Sequence, residues 1–374
     1  MISRSRAALY ASADTSFNTG GITAMRTIIH AMKKISKTAS VCFMAAAIVL
    51  GFAACGQPES KPQVKTPSAA PHITVISTVD TWGSLAREIG GNDIKVTSLM
   101  TGATADTSSF KPRSRDLQKI QNAQVMVTNG AGYDDWANKI RPKKAEVISA
   151  AATVGALNGD NPYLWFSHDA REAMASSMAD TFSRIQPSKK RAFAQRLANW
   201  QKNEKKLTTF LQNFAKENGN VKYAETSPIL FWLMSDLNLK SSTPKEYAEA
   251  VSNNTDPQRS SIEAFQKLIE ERGIDILIGN SQQGNDTLNF LNGIAGRSYT
   301  ATVRVSELMP KYANTLNQWI MKICDDIHNA LEETKAMRKN EDQENAKKPI
   351  TEKPRVVENT NPKDSHEGQQ DPGK

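Results

Sequence analysis

The segment between Pro187-Ser188 and Asn218-Gly219 contains no glycine or proline, and it limits what the chain can fold into more than any other stretch. Phe193, Leu197, Trp200, Leu207, Phe210, Leu211 and Phe214 recur mostly at spacings of three, four and seven, which places one apolar stripe on a helix. Ser188 is the candidate N-cap and Gly219 the candidate stop. A helix of about 28 residues rises about 40 Å. It is long enough to cross a two-lobed molecule, and it would also serve as the core helix of a single domain.

The flanks favour the two-lobed arrangement. Ahead of the long segment, β-rich runs at 73–79, 94–99, 125–128 and 146–148 alternate with helical patterns. Trp82, Leu85, Ala86 and Ile89 mark the first of these helices, which Gly90-Gly91 ends. After the long segment, strands are expected at 221–224, 274–278 and 301–305. Ile262, Phe265, Leu268 and Ile269 lie on one helix face, and Leu316, Trp319, Ile320, Ile323, Ile327 and Leu331 on a terminal one. Strand–helix alternation on both sides implies an α/β fold: two α/β lobes with parallel sheets, joined by one long rigid helix. The expected boundaries are 72–187 for the first lobe, 188–218 for the helix and 219–337 for the second lobe.

The ends of the chain read differently. A formal charge of +8 would suit a nucleic-acid partner, but residues 1–55 hold six basic residues against Asp14 alone, leaving +3 for the remainder. Residues 1–54 read as a leader. Lys33, Lys34 and Lys37 precede an apolar run from Val41 to Ala54, too short to span a bilayer and suited to a signal peptide. Ala53-Ala54-Cys55-Gly56 resembles a bacterial lipobox, which implies a lipid on Cys55 and a membrane-anchored, extracytoplasmic protein. The proline-rich stretch 55–71 reads as a tether. Residues 338–374 lack aromatics and are expected to be a disordered, charged tail. Three cysteines in all exclude a disulfide scaffold.

Five short motifs then occur in one order. They are Asp106-Thr107-Ser108-Ser109-Phe110-Lys111-Pro112, Asn161-Pro162-Tyr163-Leu164-Trp165, Glu225-Thr226-Ser227-Pro228, Asn280-Ser281-Gln282 and Ser306-Glu307-Leu308-Met309-Pro310. Together they resemble the metal-binding solute-binding lipoproteins (cluster A-I) of zinc and manganese ABC transporters. The resemblance implies a monomeric binder that holds one divalent metal between its lobes, with no catalytic cofactor, and delivers it to an ABC permease and its ATPase.

The resemblance fails at the ligands. Ser108, Tyr163 and Ser227 stand where the family carries histidine, histidine and glutamate, and only Glu307 keeps a strong metal-binding side chain. Neutral hydroxyls supply no charge to balance a dication. Three readings follow. Glu307 is joined by Asp106, His168 or Glu225 in a remodelled site, whose oxygens suit manganese better than zinc. Alternatively, the pocket takes a different small ligand, with Tyr163, Trp165, Ser108 and Ser227 lining it. In the third reading the chain is a surface scaffold or adhesin-like lipoprotein with a vestigial cleft. Plainer roles exist for single residues: Tyr163 and Trp165 as lobe packing, Asp134-Asp135 as the start of a helix at Trp136, Cys324 as a core thiol. No phosphate loop, G-x-S-x-G elbow or H-E-x-x-H motif is present, so an enzyme is not expected.

Overall fold

The computed structural model describes residues 72–102, 107 and 109–347, with side chains as far as 344. The expected leader, Cys55, the tether, Asp106 and Ser108 lie outside the described residues. The first lobe comprises β1 (Ile73–Val79), α1 (Asp80–Gly90), β2 (Ile94–Met100), α2 (Ser114–Gln121), β3 (Val125–Thr128), α3 (Trp136–Ile140), β4 (Glu146–Ser149), α4 (Ala150–Val154) and α5 (His168–Ile185). The long helix α6 (Lys190–Asn218) follows. The second lobe comprises β5 (Tyr223–Glu225), α7 (Phe231–Asp236), α8 (Lys245–Ser252), α9 (Arg259–Glu270), β6 (Ile276–Asn280), α10 (Asp286–Arg297), β7 (Ala301–Val305) and α11 (Leu316–Lys347).

Both sheets are wholly parallel, in the orders β2-β1-β3-β4 and β5-β6-β7. Parallel strands need crossovers, and the helices that supply them cover both faces of each sheet. On one face of the first sheet, Ile76 and Met126 pack with Ile120 and Ala137. On one face of the second, Ala224 and Leu277 pack with Tyr247, Phe265, Leu291 and Ile294. The opposite faces of both sheets join in one continuous core, which includes Val75, Trp82, Phe166, Trp200, Ile278 and Trp319. Phe166 of the first lobe meets Trp319 of α11 with ring centroids 5.1 Å apart. The lobes therefore share apolar contacts as well as a connecting helix.

The long helix packs against α1, α5 and α11. Its buried residues are Phe193, Trp200, Glu204, Leu207, Leu211, Phe214 and Asn218. Glu204 fills the gap in the apolar stripe between Trp200 and Leu207. The helix boundaries correct the sequence reading in detail. Ser188 lies in a short 3-10 turn, Pro187–Lys189, and the N-cap position falls on Lys189. Gly219 has φ −62°, so it does not end the helix by left-handed geometry; Asn218 turns its own amide back to the Phe214 carbonyl at 3.0 Å.

The terminal helix runs past residue 337 to Lys347. Arg338 Nε donates to the Tyr299 carbonyl at 2.7 Å, and Arg272 pairs with Glu341 at 2.6 Å. These polar anchors, which an apolar-pattern reading does not register, extend the helix where aromatic residues have run out. Residues 348–374 lie outside the described part. Helix α5, another large core element, buries a face of mostly small and flexible residues: Ala170, Met174, Ala175, Met178 and Phe182 are buried together with Arg171.

Candidate functional site

In open parallel sheets, loops at the carboxyl ends of the strands form the ligand crevice. Five such ends converge here. Thr107 follows β2, Tyr133 follows β3, Ser227 follows β5, Asn280 ends β6 and Glu307 follows β7. All but Asn280 line, together with Tyr163, a cavity of about 750 Å³ whose walls come from both lobes.

Glu307 is the centre of the arrangement, and it is only 3% exposed. Its Oε2 accepts from the hydroxyls of Thr107 at 2.5 Å and Tyr133 at 2.8 Å. Its Oε1 accepts from Asn280 Nδ2 at 2.6 Å and the Tyr163 hydroxyl at 3.3 Å. Three of these donors come from the first lobe and one from the second, so a single carboxylate ties the lobes together. Burial first, and then the Glu307 charge, raise both tyrosines above the ordinary phenol range. They are neutral donors. Ser227 and Asn280 also hydrogen-bond to Tyr163.

The backbone holding the cage is itself braced. Gln282 Oε1 accepts from the Glu307 and Leu308 amides at 2.5 and 3.1 Å, fixing the loop after β7. Asn280 Oδ1 accepts from the Gln282 amide at 2.9 Å, which leaves its Nδ2 to face Glu307. The loop carrying Tyr133 passes through Gly130, Ala131 and Gly132, all with positive φ of 78°, 52° and 83°. A side chain at Gly130 would meet Ala151 Cβ at 2.7 Å and Ser149 Oγ at 2.9 Å, so glycine is required there. Asp134 holds this strained turn. Its carboxylate accepts from the Asn129 and Gly130 amides, each at 2.7 Å, and from the Thr78 hydroxyl at 2.5 Å. The expectation that Asp134 merely starts the next helix is corrected: it is buried and turned into the loop. Burial raises its pKa and these hydrogen bonds oppose the rise.

The expected site residues divide into three groups. Tyr163, Ser227 and Glu307 come together in the cavity. Ser108 and Asp106 fall outside the described residues, although Thr107 between them reaches Glu307. His168 and Glu225 do not line the cavity. His168 opens α5, and its Nδ1 is 2.9 Å from Glu204 Oε1. The buried Arg171 bonds the same oxygen at 2.7 Å. Burial pushes Glu204 up, but Arg171 and His168 outweigh it and hold the carboxyl below its usual value. The imidazole is thus committed to a lobe–helix ion pair. Glu225 is buried with no cationic partner, and burial pushes its pKa up to about 8, against a hydrogen bond from the Leu230 amide. Its Oε2 has no hydrogen-bond partner. At neutral pH it is mostly the protonated acid, a poor metal ligand.

Among the described residues there is no cluster of three or more His, Cys, Asp or Glu side chains placed to hold a metal. Trp165 is fully buried behind the tyrosines, with its ring centroid 5.2 Å from Tyr133 and 5.8 Å from Tyr163, which is a packing role. Cys324 is a buried free thiol that burial pushes up to about 12. Thr107 and Asn280 lie in two of the motifs but were not named as site residues, and Tyr133 lies in none of them. The available signal for Tyr133 was its place just after the glycine-rich turn at the carboxyl end of a strand.

Known proteins resemble this chain in sequence and in fold. The manganese-binding lipoprotein MntA of Bacillus subtilis is 29% identical over 137 residues, covering 34% of this chain and 44% of MntA. The iron-binding protein YfeA of Yersinia pestis is 28% identical over 108 residues, 26% of this chain and 34% of YfeA. The chain thus aligns with less than half the length of either relative. The fold matches whole solved structures. The periplasmic zinc-binding protein TroA of Treponema pallidum superposes with a TM-score of 0.59 at 16% identity, covering 70% of this chain and 99% of TroA. FpvC of Pseudomonas aeruginosa, solved in complex with Mn²⁺, gives 0.59 at 18% identity, covering 71% and 100%. Residues 75–330 match the family model described as zinc-uptake complex component A, periplasmic. The chain therefore belongs to that family, the extracytoplasmic solute-binding proteins of metal ABC transporters, which are not enzymes.

Proposed function

We propose that this chain captures a small cargo in the cleft between its lobes, with Glu307 as the charged residue that faces it, and hands the cargo to an ABC permease driven by an ATPase. The observation carrying this reading is the cage itself. One carboxylate, bonded from both lobes, sits at the strand ends where this fold takes ligands. A cargo that touches Glu307 contacts both lobes at once, so binding is coupled to their relative position.

The family's cargo is a divalent metal, and MntA, YfeA and TroA are named for manganese, iron and zinc. This chain offers one carboxylate, two tyrosines, a threonine and an amide. The amide presents its Nδ2 to Glu307, so the oxygens are those of one carboxylate and three hydroxyls, with a single negative charge, better matched to manganese than to zinc and weaker than an imidazole-rich site for either. A related small ligand is the alternative cargo.

The tether belongs to the same proposal. Cys55 would carry the lipid that keeps the protein, as a monomer, on the extracytoplasmic face of the membrane. Cys55→Ser is expected to release it from the membrane fraction, and full retention would contradict the anchor. The cargo reading is tested by thermal denaturation against a panel of divalent metals and small solutes. A true cargo at 100 times its Kd stabilises by about 2.7 kcal/mol; no shift across the panel contradicts capture.

A further inference from the structure

The cavity is larger and chemically different from what a bare metal ion needs. At about 750 Å³ it falls in the size range that takes organic ligands, roughly 300–1,000 Å³. Its lining includes three acids, Glu307, Asp160 and Asp256, and no lysine, arginine or histidine among the described residues. Phe231 and Trp232 stand on its second-lobe wall. Phe231 is 43% exposed, a large apolar ring left in solvent beside a pocket. Trp232 is held in place by its Nε1, which donates to the Asn161 carbonyl at 3.1 Å across the lobe boundary. The two rings meet edge-on, with centroids 5.1 Å apart.

The state of Glu307 points the same way. A carboxylate offers about four lone-pair directions, and here four neutral donors occupy them. A divalent metal requires direct oxygen or nitrogen ligands and would have to dismantle this cage. An organic cation has no such need. Its charge is met by exposed carboxylates on the cavity wall, Asp160 and Asp256, and by aromatic faces.

We propose that the cargo of this cleft is an organic cation, an ammonium group on an apolar body. Phe231 and Trp232 pack the body, and Glu307, with the acids at the cavity wall, supplies the counter-charge. This rests on the reading of the cleft as the cargo site and narrows the class of cargo.

Isothermal titration of the purified protein with choline, spermidine and agmatine, and separately with manganese chloride and zinc chloride, tests it. At least one amine is expected to bind with a Kd below about 1 mM. Phe231→Ala is expected to weaken that amine about tenfold in a protein that still unfolds cooperatively, since Phe231 is 43% exposed. For choline, the uncharged isostere 3,3-dimethylbutan-1-ol is expected not to bind. Metal binding with no response to any amine overturns this inference and leaves cargo capture standing. Amine binding that survives Phe231→Ala places the amine elsewhere and also overturns it. Silence from every amine overturns this inference, and only silence across the whole panel of metals and small solutes contradicts cargo capture as well.

Discussion

Glu307, Asp134 and Glu225 are buried carboxyls with three different fates, decided by their partners. Glu307 accepts from four neutral donors. Its removal in Glu307→Ala strands those donors beside an open cavity that admits water, and is expected to cost about 2 kcal/mol of stability by denaturant unfolding. Asp134 serves two amides and a hydroxyl in a closed loop. Asp134→Ala is expected to cost more, about 3 kcal/mol by denaturant unfolding, and to weaken cargo binding by loosening the loop that sets Tyr133 in the cavity wall. Glu225 has no cation to pair with, and its pKa is raised from 4.5 to about 8. A raised carboxyl binds more protons folded than unfolded, so it erodes stability as pH climbs from about 4.5 to about 8 and adds no further slope above that. Glu225→Gln is expected to flatten this part of the pH profile and to melt higher than the parent at pH 8.5. An unchanged profile would mean that the folded carboxyl ionises normally.

Among the elements, legibility in the sequence followed the dominance of apolar periodicity. β1, β3 and β7 stand at the residues expected, because alternating or continuous branched residues leave no rival pattern. β5 and β6 begin two residues later than expected, since Val221 and Ile274 precede the strands rather than pair in them. Helix α5 was not visible, because its packing uses alanines, methionines and one arginine in place of a leucine stripe. The stripe on α6 lost its regularity at Glu204 for the same reason. The position is a core position held by a charge, and its partner Arg171 lies 33 residues away. Breaking one side of a buried ion pair leaves the other charge unpaired. Arg171→Met is accordingly expected to destabilise by about 3–5 kcal/mol, measured as a shift in denaturant midpoint. A loss under 1 kcal/mol would mean that His168 alone suffices for Glu204.

For the molecule as a whole, the motif order along the chain was enough to indicate the family, and the family model spans 75–330. The chemistry of the cleft was only half legible. The departures at Tyr163 and Ser227 were readable and announced the loss of one imidazole and one carboxylate. That Tyr133, Thr107 and Asn280 complete the cage was not, because these three lie on three separate strand-end loops and meet only in the folded protein. The shared core, with Phe166 against Trp319, also bears on how the molecule works. It joins the lobes by packing as well as by α6, so cargo is expected to tighten an existing arrangement rather than to swing two independent bodies closed. The central claim is that cargo is held at Glu307, and the most direct measurement is the ligand-induced change in melting temperature of the parent protein and of Glu307→Gln, side by side, with whichever cation the parent binds. The account predicts a clear rise in the parent that is absent in the variant; an equal rise in both would place the cargo elsewhere.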